Sequence, residues 1–400
     1  MGDPAKAKVN VKTAAVHAGE RVEGSRAIPL SAPIFTASVS YFDAADALDA
    51  ALDGQDYTYT RIKGQNAELL EQAVAALEGT EDCAAFPSGM AALRALLESL
   101  ELKAGDRVVI PNDGYGASLA LVKAFAKEKG AELHLRPMTA PGAPGELRAL
   151  KPRLVMAESV SNPLLSVPDL PALAEAARDA GATFAVDATF PSPALQRAAA
   201  LGADLVLQST TKWLNGHSDA MGGTVSGSRA RIGPMKAARV LHGAVLGPFE
   251  AWLTLRGVRT LPVRMAAHSA HAASIAERLR SSPHVERVLY PGLPEHPQHA
   301  VARRMLPHGF GGMLAFELKG AGRAQAFRFL EKVALCRPAP SLGDVTTLVM
   351  HAATASARRM TPEERAAAGI RESLIRVSVG LEDPDDVADD LLQAAAAAIG

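Results

Sequence analysis

Cysteine is scarce in this chain. Its 400 residues include two, Cys83 and Cys336, far apart and outside any CxxC or metal-type cluster. A disulfide framework is therefore excluded, and a reduced, cytoplasmic setting is expected. An excess of charge is lacking too: 42 Lys and Arg stand against 43 Asp and Glu, a formal net charge of −1. This balance gives no electrostatic case for nucleic acid or an acidic membrane as partner. No apolar run reaches the ~18 residues that a membrane-spanning helix needs. The stretch Met1–Val16 carries Lys6, Lys8 and Lys12 without an apolar core, so no secretory signal is expected. Neither GxGxxG nor GxxxxGK followed by Ser or Thr occurs, which weakens dinucleotide and P-loop readings.

What the chain has is apolar content built largely on alanine: 48% hydrophobic residues with only 4% aromatic, which suits closely packed helices. Its length suits a large α/β domain plus a smaller one. Residues 1–60, broken by Gly24, Pro29 and Pro33, read as an extended N-terminal arm that packs on something else. A helical pattern starts at Glu68 and stops at Gly79, and a second helix follows Pro87-Ser88-Gly89. Short apolar runs at Arg107–Ile110, Glu132–Leu135, Leu154–Ala157, Thr183–Val186 and Asp204–Leu207 then alternate with helical stretches. That alternation predicts a mostly parallel sheet with helices on both faces, and Gly222–Gly227 reads as an edge strand. One long helical stretch runs from about 248 to Arg280. Strands are expected at Val285–Tyr290, Gly312–Leu318 and Leu374–Val379, with a helix near Ala324–Lys332. Asp383 as cap and Pro384 in the first turn open a last helix. The expected organisation is an arm over 1–60, a large domain over 61–250 and a smaller α+β domain over 251–400.

The chemistry gathers where predicted strands end, the edge at which open α/β sheets bind ligands. Lys212 follows the strand Asp204–Leu207 through Ser209-Thr210-Thr211. It reads either as a surface lysine or as a Schiff-base lysine with phosphate-binding hydroxyls beside it. Asp187 closes the preceding strand, so adjacent strands would place both side chains in one cleft. It is either a helix cap or the carboxylate that keeps a pyridinium nitrogen protonated. Ser88-Gly89-Met90 opens a helix whose free amides suit a phosphate. Tyr115, between Gly114 and Gly116, is a turn residue or a ring stacked on a flat cofactor. Arg376 on an apolar strand needs an anionic partner, either an internal salt bridge or a substrate carboxylate. His296 and His299 are read as loop residues, and no metal is expected.

Together these segments resemble the Cys/Met-metabolism (trans-sulfuration) family of pyridoxal-phosphate (PLP) enzymes. That family includes cystathionine γ-synthase, the cystathionine lyases, methionine γ-lyase and O-acetylhomoserine sulfhydrylase. The resemblance runs from Ala15-Val16-His17-Ala18-Gly19 to Arg376-Val377-Ser378-Val379-Gly380, and is most specific at Ser209-Thr210-Thr211-Lys212-Trp213-Leu214-Asn215-Gly216-His217-Ser218-Asp219. It implies a large domain like that of type I PLP-dependent aminotransferases and PLP bound to Lys212. Asp187 would pair with the ring nitrogen, and Ser88, Gly89, Met90, Ser209 and Thr211 would hold the phosphate. Tyr59 and Arg61 would reach the phosphate in a neighbouring subunit of a dimer or dimer of dimers. Tyr115 would stack on the ring and transfer protons, Asn162 would lie near the ring oxygen, and Ser341 and Arg376 would hold the substrate carboxylate.

Departures from the family pattern are Lys63-Gly64-Gln65-Asn66 for Gly-Asn-Pro-Thr, Ala188 within Asp-Asn-Thr, and Trp213 for Tyr. Gly343-Asp344-Val345-Thr346-Thr347 lacks the glutamate of the cystathionine enzymes, and Ala117 stands where methionine γ-lyases carry cysteine. Cofactor chemistry is compatible with these changes, whereas substrate identity is left open. The expected activity is γ-elimination or γ-replacement on a sulfur-linked or O-acylated amino acid. The alternatives are β-elimination, as in cystathionine β-lyase, and a non-catalytic scaffold.

Overall fold

The computed structural model describes residues 10–19 and 29–400. Seven strands form the large sheet: β1 (Asp82–Phe86), β2 (Arg107–Pro111), β3 (Glu132–Arg136), β4 (Leu154–Glu158), β5 (Thr183–Asp187), β6 (Leu205–Gln208) and β7 (Gly223–Gly227). Their order is β1-β7-β6-β5-β4-β2-β3. Pairing is parallel from β6 across to β3, and β7 runs antiparallel to both of its neighbours. The sheet is covered on both faces, because alternate strand residues feed two separate cores. Val155, Phe184 and Val206 face one, and Leu154, Ala185 and Leu205 face the other.

One expectation about this sheet is corrected, and one about the arm. The segment ending at Gly227 is interior, not an edge, because β1 pairs with it. Asp-Cys-Ala-Ala-Phe shows no β-branched residue and no alternation, so its strand character comes from pairing alone. Part of the arm is also regular: Asn10 caps a helix over Val11–His17, whose Ala14 and Ala15 are buried in the same core as Leu70 and Val74. Residues 29–44 contain no helix and no named strand.

The second sheet holds β8 (Val285–Leu289), β9 (Met313–Leu318), β10 (Arg337–Pro338), β11 (Leu348–His351) and β12 (Leu374–Ser378), in the order β10-β11-β12-β9-β8. The long helical stretch is two helices, Pro248–Val258 and Leu261–Arg280, separated at Arg259 and Thr260. Pro262, which lacks an N–H, sits in the first turn of the second, where that loss is harmless. This helix joins the two sheets: Leu261 and Met265 lie in the core of the first, Ala272, Ile275 and Leu279 in that of the second. Asp383 caps the last helix, Pro384–Ile399, by accepting from Asp385 N at 2.9 Å. His299 opens a short helix, with Nδ1 2.9 Å from Pro291 O. Among the described residues no helix is long and apolar enough to cross a membrane.

Beneath β6 lies a buried acid. Gln208 Nε2 donates to Glu78 Oε1 at 2.8 Å, at the end of helix Gln65–Glu78. Glu78 Oε2 and Gln208 Oε1 have no partner. Burial pushes Glu78 up to about 7. A raised folded-state value means stability fully present below the ordinary glutamate value of 4.5, lost as pH rises from there through about 7, and level above it. The loss should be roughly 3 kcal/mol and complete by about pH 8. Glu78→Gln replaces the proton with an amide that can donate to Gln208. Melting temperatures should show the variant close to wild type at about pH 4.5 and above it at about pH 8.

Candidate active site

Lys212 sits in a single helical turn just after β6, at the C-terminal edge of the parallel strands. Asn215 N returns to Thr210 O at 3.0 Å and Gly216 N to Lys212 O at 2.8 Å. The turn is gripped from two sides. Gly343 takes φ of 82°, and a Cβ there would fall 2.6 Å from Trp213 N. Arg264, buried in the helix that joins the sheets, donates to Trp213 O and Gly257 O, each at 2.8 Å. Lys212 Nζ donates to Ser341 Oγ at 2.8 Å. Burial, and secondarily the charge of Arg376, lower Lys212 to about 8.

Nζ faces a cavity of about 240 Å³. Ser88, Gly89, Met90, Tyr115, Asn162, Asp187, Ser209, Thr211, Lys212, Ser341 and Arg376 all line it. Tyr59 and Arg61 do not. Arg61 Nη1 donates to Val240 O at 2.8 Å and its guanidinium lies over the Tyr59 ring at 5.4 Å, away from the cavity within this chain.

Asp187 ends β5, and its Oδ1 accepts from Thr189 N at 3.0 Å. Burial raises its carboxyl above the ordinary range. Arg376, on β12, donates from Nη1 to Asn162 Oδ1 at 3.0 Å and from Nη2 to Ser341 O at 2.7 Å, while Nε is buried without a partner. The internal salt bridge left open for Arg376 is absent: among the described residues no carboxylate pairs with it, and burial lowers the guanidinium to about 10.

Ser88 caps helix Gly89–Ser99 through Oγ, which accepts from Ala91 N at 3.1 Å. The first amides, those of Gly89 and Met90, precede the helical ladder. A Cβ on Gly89 would lie 3.2 Å from Ser209 Cβ, so the helix start and the lysine turn meet. Close approach continues at Gly223, where a Cβ would sit 2.5 Å from Ser88 O. Thr211 Oγ1 is held by Gly222 N at 3.0 Å, and Thr189 Oγ1 accepts from Ser209 N at 2.9 Å.

Sequence reasoning missed Glu158, Thr189 and Arg264. Glu158 had a usable signal, a carboxylate closing a parallel strand as Asp187 does. Arg264 had none, since its partners are backbone carbonyls remote in sequence.

These residues fit PLP. Among the described residues Lys212 and Asp187, half-buried, and Arg376, buried, line one cavity without an ion pair. A lysine amine suits the aldehyde, a half-buried carboxylate a ring nitrogen cation, and unladdered amides with hydroxyls a phosphate. Arg376 retains donors for a carboxylate.

The profile of the family described as Cys/Met metabolism PLP-dependent enzyme matches residues 12–396. The O-succinylhomoserine sulfhydrylase of Pseudomonas aeruginosa is 41% identical over 389 residues, covering 96% of this chain and 95% of the relative. The L-methionine gamma-lyase of Pseudomonas putida is 39% identical over 394 residues, 96% of each. Cystathionine gamma synthase from Xanthomonas oryzae pv. oryzae in complex with cystathionine superposes with a TM-score of 0.92 at 39% identity, covering 98% of this chain and 99% of that one. Matching sequence over nearly its whole length, this fold and a cavity suited to the cofactor agree: the chain belongs to the Cys/Met metabolism family of PLP-dependent enzymes.

Proposed function

We propose that this enzyme catalyses replacement or elimination at the γ-carbon of a sulfur-linked or O-acylated amino acid. The carrying observation is the trio Lys212, Asp187 and Arg376, which line one cavity, Arg376 buried and the other two half-buried, and are not paired with one another. Relatives named O-succinylhomoserine sulfhydrylase, L-methionine gamma-lyase and cystathionine gamma-synthase support the γ-carbon.

When bound, PLP supplies the electron sink that acidifies the substrate's α-carbon. Lys212 carries the cofactor and, near pH 8, is neutral often enough to accept the α-proton. Asp187 holds a proton on the ring nitrogen. Ser88, Gly89, Met90, Ser209 and Thr211 bind the phosphate. Tyr115, lining the cavity, would face the ring and pass a proton to the departing group, and Asn162 would orient the ring oxygen. Arg376 and Ser341 fix the substrate carboxylate, and so orient the carbons that lose protons to Lys212.

A second copy of the chain completes the site. Leu30, Val39 and Tyr41 in the arm are exposed, as are Leu241 and Val263, an apolar set suited to burial between copies. Tyr59 and Arg61 belong to the same region and reach the neighbour's phosphate.

Substrate class is tested by incubating PLP-loaded enzyme with L-methionine, with L-cystathionine, and with O-acetyl- or O-succinyl-L-homoserine plus sulfide. A 2-oxo acid with ammonia identifies elimination, and a new thiol amino acid identifies replacement. No product from any substrate overturns the reading.

Arg376→Ala should raise KM on the order of 100-fold while cofactor colour is retained, the loss of a bidentate charge-assisted contact. Arg376→Lys should rescue poorly, because an ammonium lacks the planar fork. Unchanged KM in a folded Arg376→Ala protein removes the carboxylate role.

Arg61→Ala and Lys212→Ala proteins should each be nearly inactive. Mixed oligomers should regain activity well above both parents, because one site then has an intact Lys212 and receives Arg61 from the other chain. Tagged heterodimers as inactive as the parents would place Arg61 within its own chain's function.

A further inference from the structure

Glu158 is the last residue of β4, and its register partner on β5 is Asp187. It is 7% exposed. Its two oxygens are divided between two loops: Oε1 accepts from Tyr115 N at 2.5 Å, and Oε2 from Asn162 N at 2.9 Å. No lysine or arginine pairs with it among the described residues. A Cβ on Gly114 would lie 3.0 Å from Oε1, so the Tyr115 loop rests directly on the carboxyl. Asn162, in turn, presents Oδ1 to Arg376 Nη1 at 3.0 Å.

A buried carboxyl without a cation is a poor stabiliser. Burial, and next the charge of Asp187, push Glu158 well above the ordinary carboxyl range. An apolar residue of similar volume would pack this position at less cost, but would release both amides. The division of its oxygens has a specific consequence. One residue sets the distance between Tyr115, over the cavity, and the Asn162–Arg376 pair at its side, both measured from the strand edge that bears Asp187.

We infer that Glu158 is a positioning residue, tying Tyr115 and, through Asn162, Arg376 into register with Asp187. This rests on the reading of Tyr115 and Arg376 given above. Glutamine cannot substitute, because it offers one oxygen to two N–H donors and turns an NH2 toward the other. The phosphate contacts at Ser88–Met90 and Ser209–Thr211 do not involve Glu158, so cofactor retention and substrate orientation separate.

The test uses the PLP-loaded enzyme and L-norleucine, a straight-chain amino acid with no group to expel. Glu158→Gln should hold PLP within about threefold of wild type but bind L-norleucine about tenfold more weakly. The visible circular dichroism of the bound cofactor, which reports ring orientation, should change. A folded Glu158→Gln enzyme with wild-type dichroism and L-norleucine affinity overturns the inference. If that variant does not fold, Gly114→Ala decides. Its methyl would lie 3.0 Å from both Glu158 Oε1 and Pro111 Cγ, so the carboxyl must give way at the Tyr115 amide without being removed, and both readouts should shift in the same direction. Unchanged values in Gly114→Ala overturn the inference. Wild-type enzyme that fails to bind L-norleucine removes the Arg376 reading instead, and dichroism alone then decides Glu158.

Discussion

The structure is organised around keeping charges apart in a place where they are costly. Lys212, Asp187 and Arg376 line one cavity, Arg376 buried and the other two half-buried, and none neutralises another. Left alone, such groups would pair or lose their charge. Separation is enforced by the backbone. Asp187 ends β5, Lys212 occupies a turn after β6, and Arg376 enters from β12 of the other sheet. Each is fixed by these elements, which leaves hydrogen-bonding capacity unused at the cavity.

The smaller sheet is accordingly part of the site. Ser341 accepts from Lys212 and from Arg376 at once, by hydroxyl and by carbonyl. Next to it, Gly343 presses on the lysine turn so closely that no side chain fits, and its N–H donates to Ser378 Oγ on β12 at 2.9 Å. Arg264 grips the same turn from the helix that passes from one core to the other. A displacement of either sheet would move Lys212 and Arg376 relative to each other, so the interface between sheets sets their spacing across the cavity.

Beyond the cavity, polar groups are buried where they hold the frame. Glu71 accepts from Ala85 N at 2.9 Å and pairs with Arg239, pinning β1 between two helices. Glu317, buried on β9 of the smaller sheet, receives Arg287 and Arg371. Each of these acids is paired with a cation of the chain. Arg376 differs in that, among the described residues, no carboxylate pairs with it and its guanidinium donates only to Asn162 Oδ1 and Ser341 O.

Local chemistry made much of this legible in the sequence. Short apolar runs ending in Asp187 and in the Ser-Thr-Thr-Lys segment announced parallel strands with functional ends. Asp383-Pro384 announced a helix, whereas the salt bridge expected as one reading of Arg376 is absent, its donors going to Asn162 Oδ1 and Ser341 O. Each signal lies within a few residues, where periodicity and capping operate. What the tertiary structure alone decided depends on pairs far apart in the chain. β1 is a strand because β7 lies beside it. Arg264 owes its importance to backbone carbonyls, which carry no residue-type signature. The physical reason is common to all: side-chain periodicity records which face is buried, whereas backbone partners are chosen only when distant segments meet.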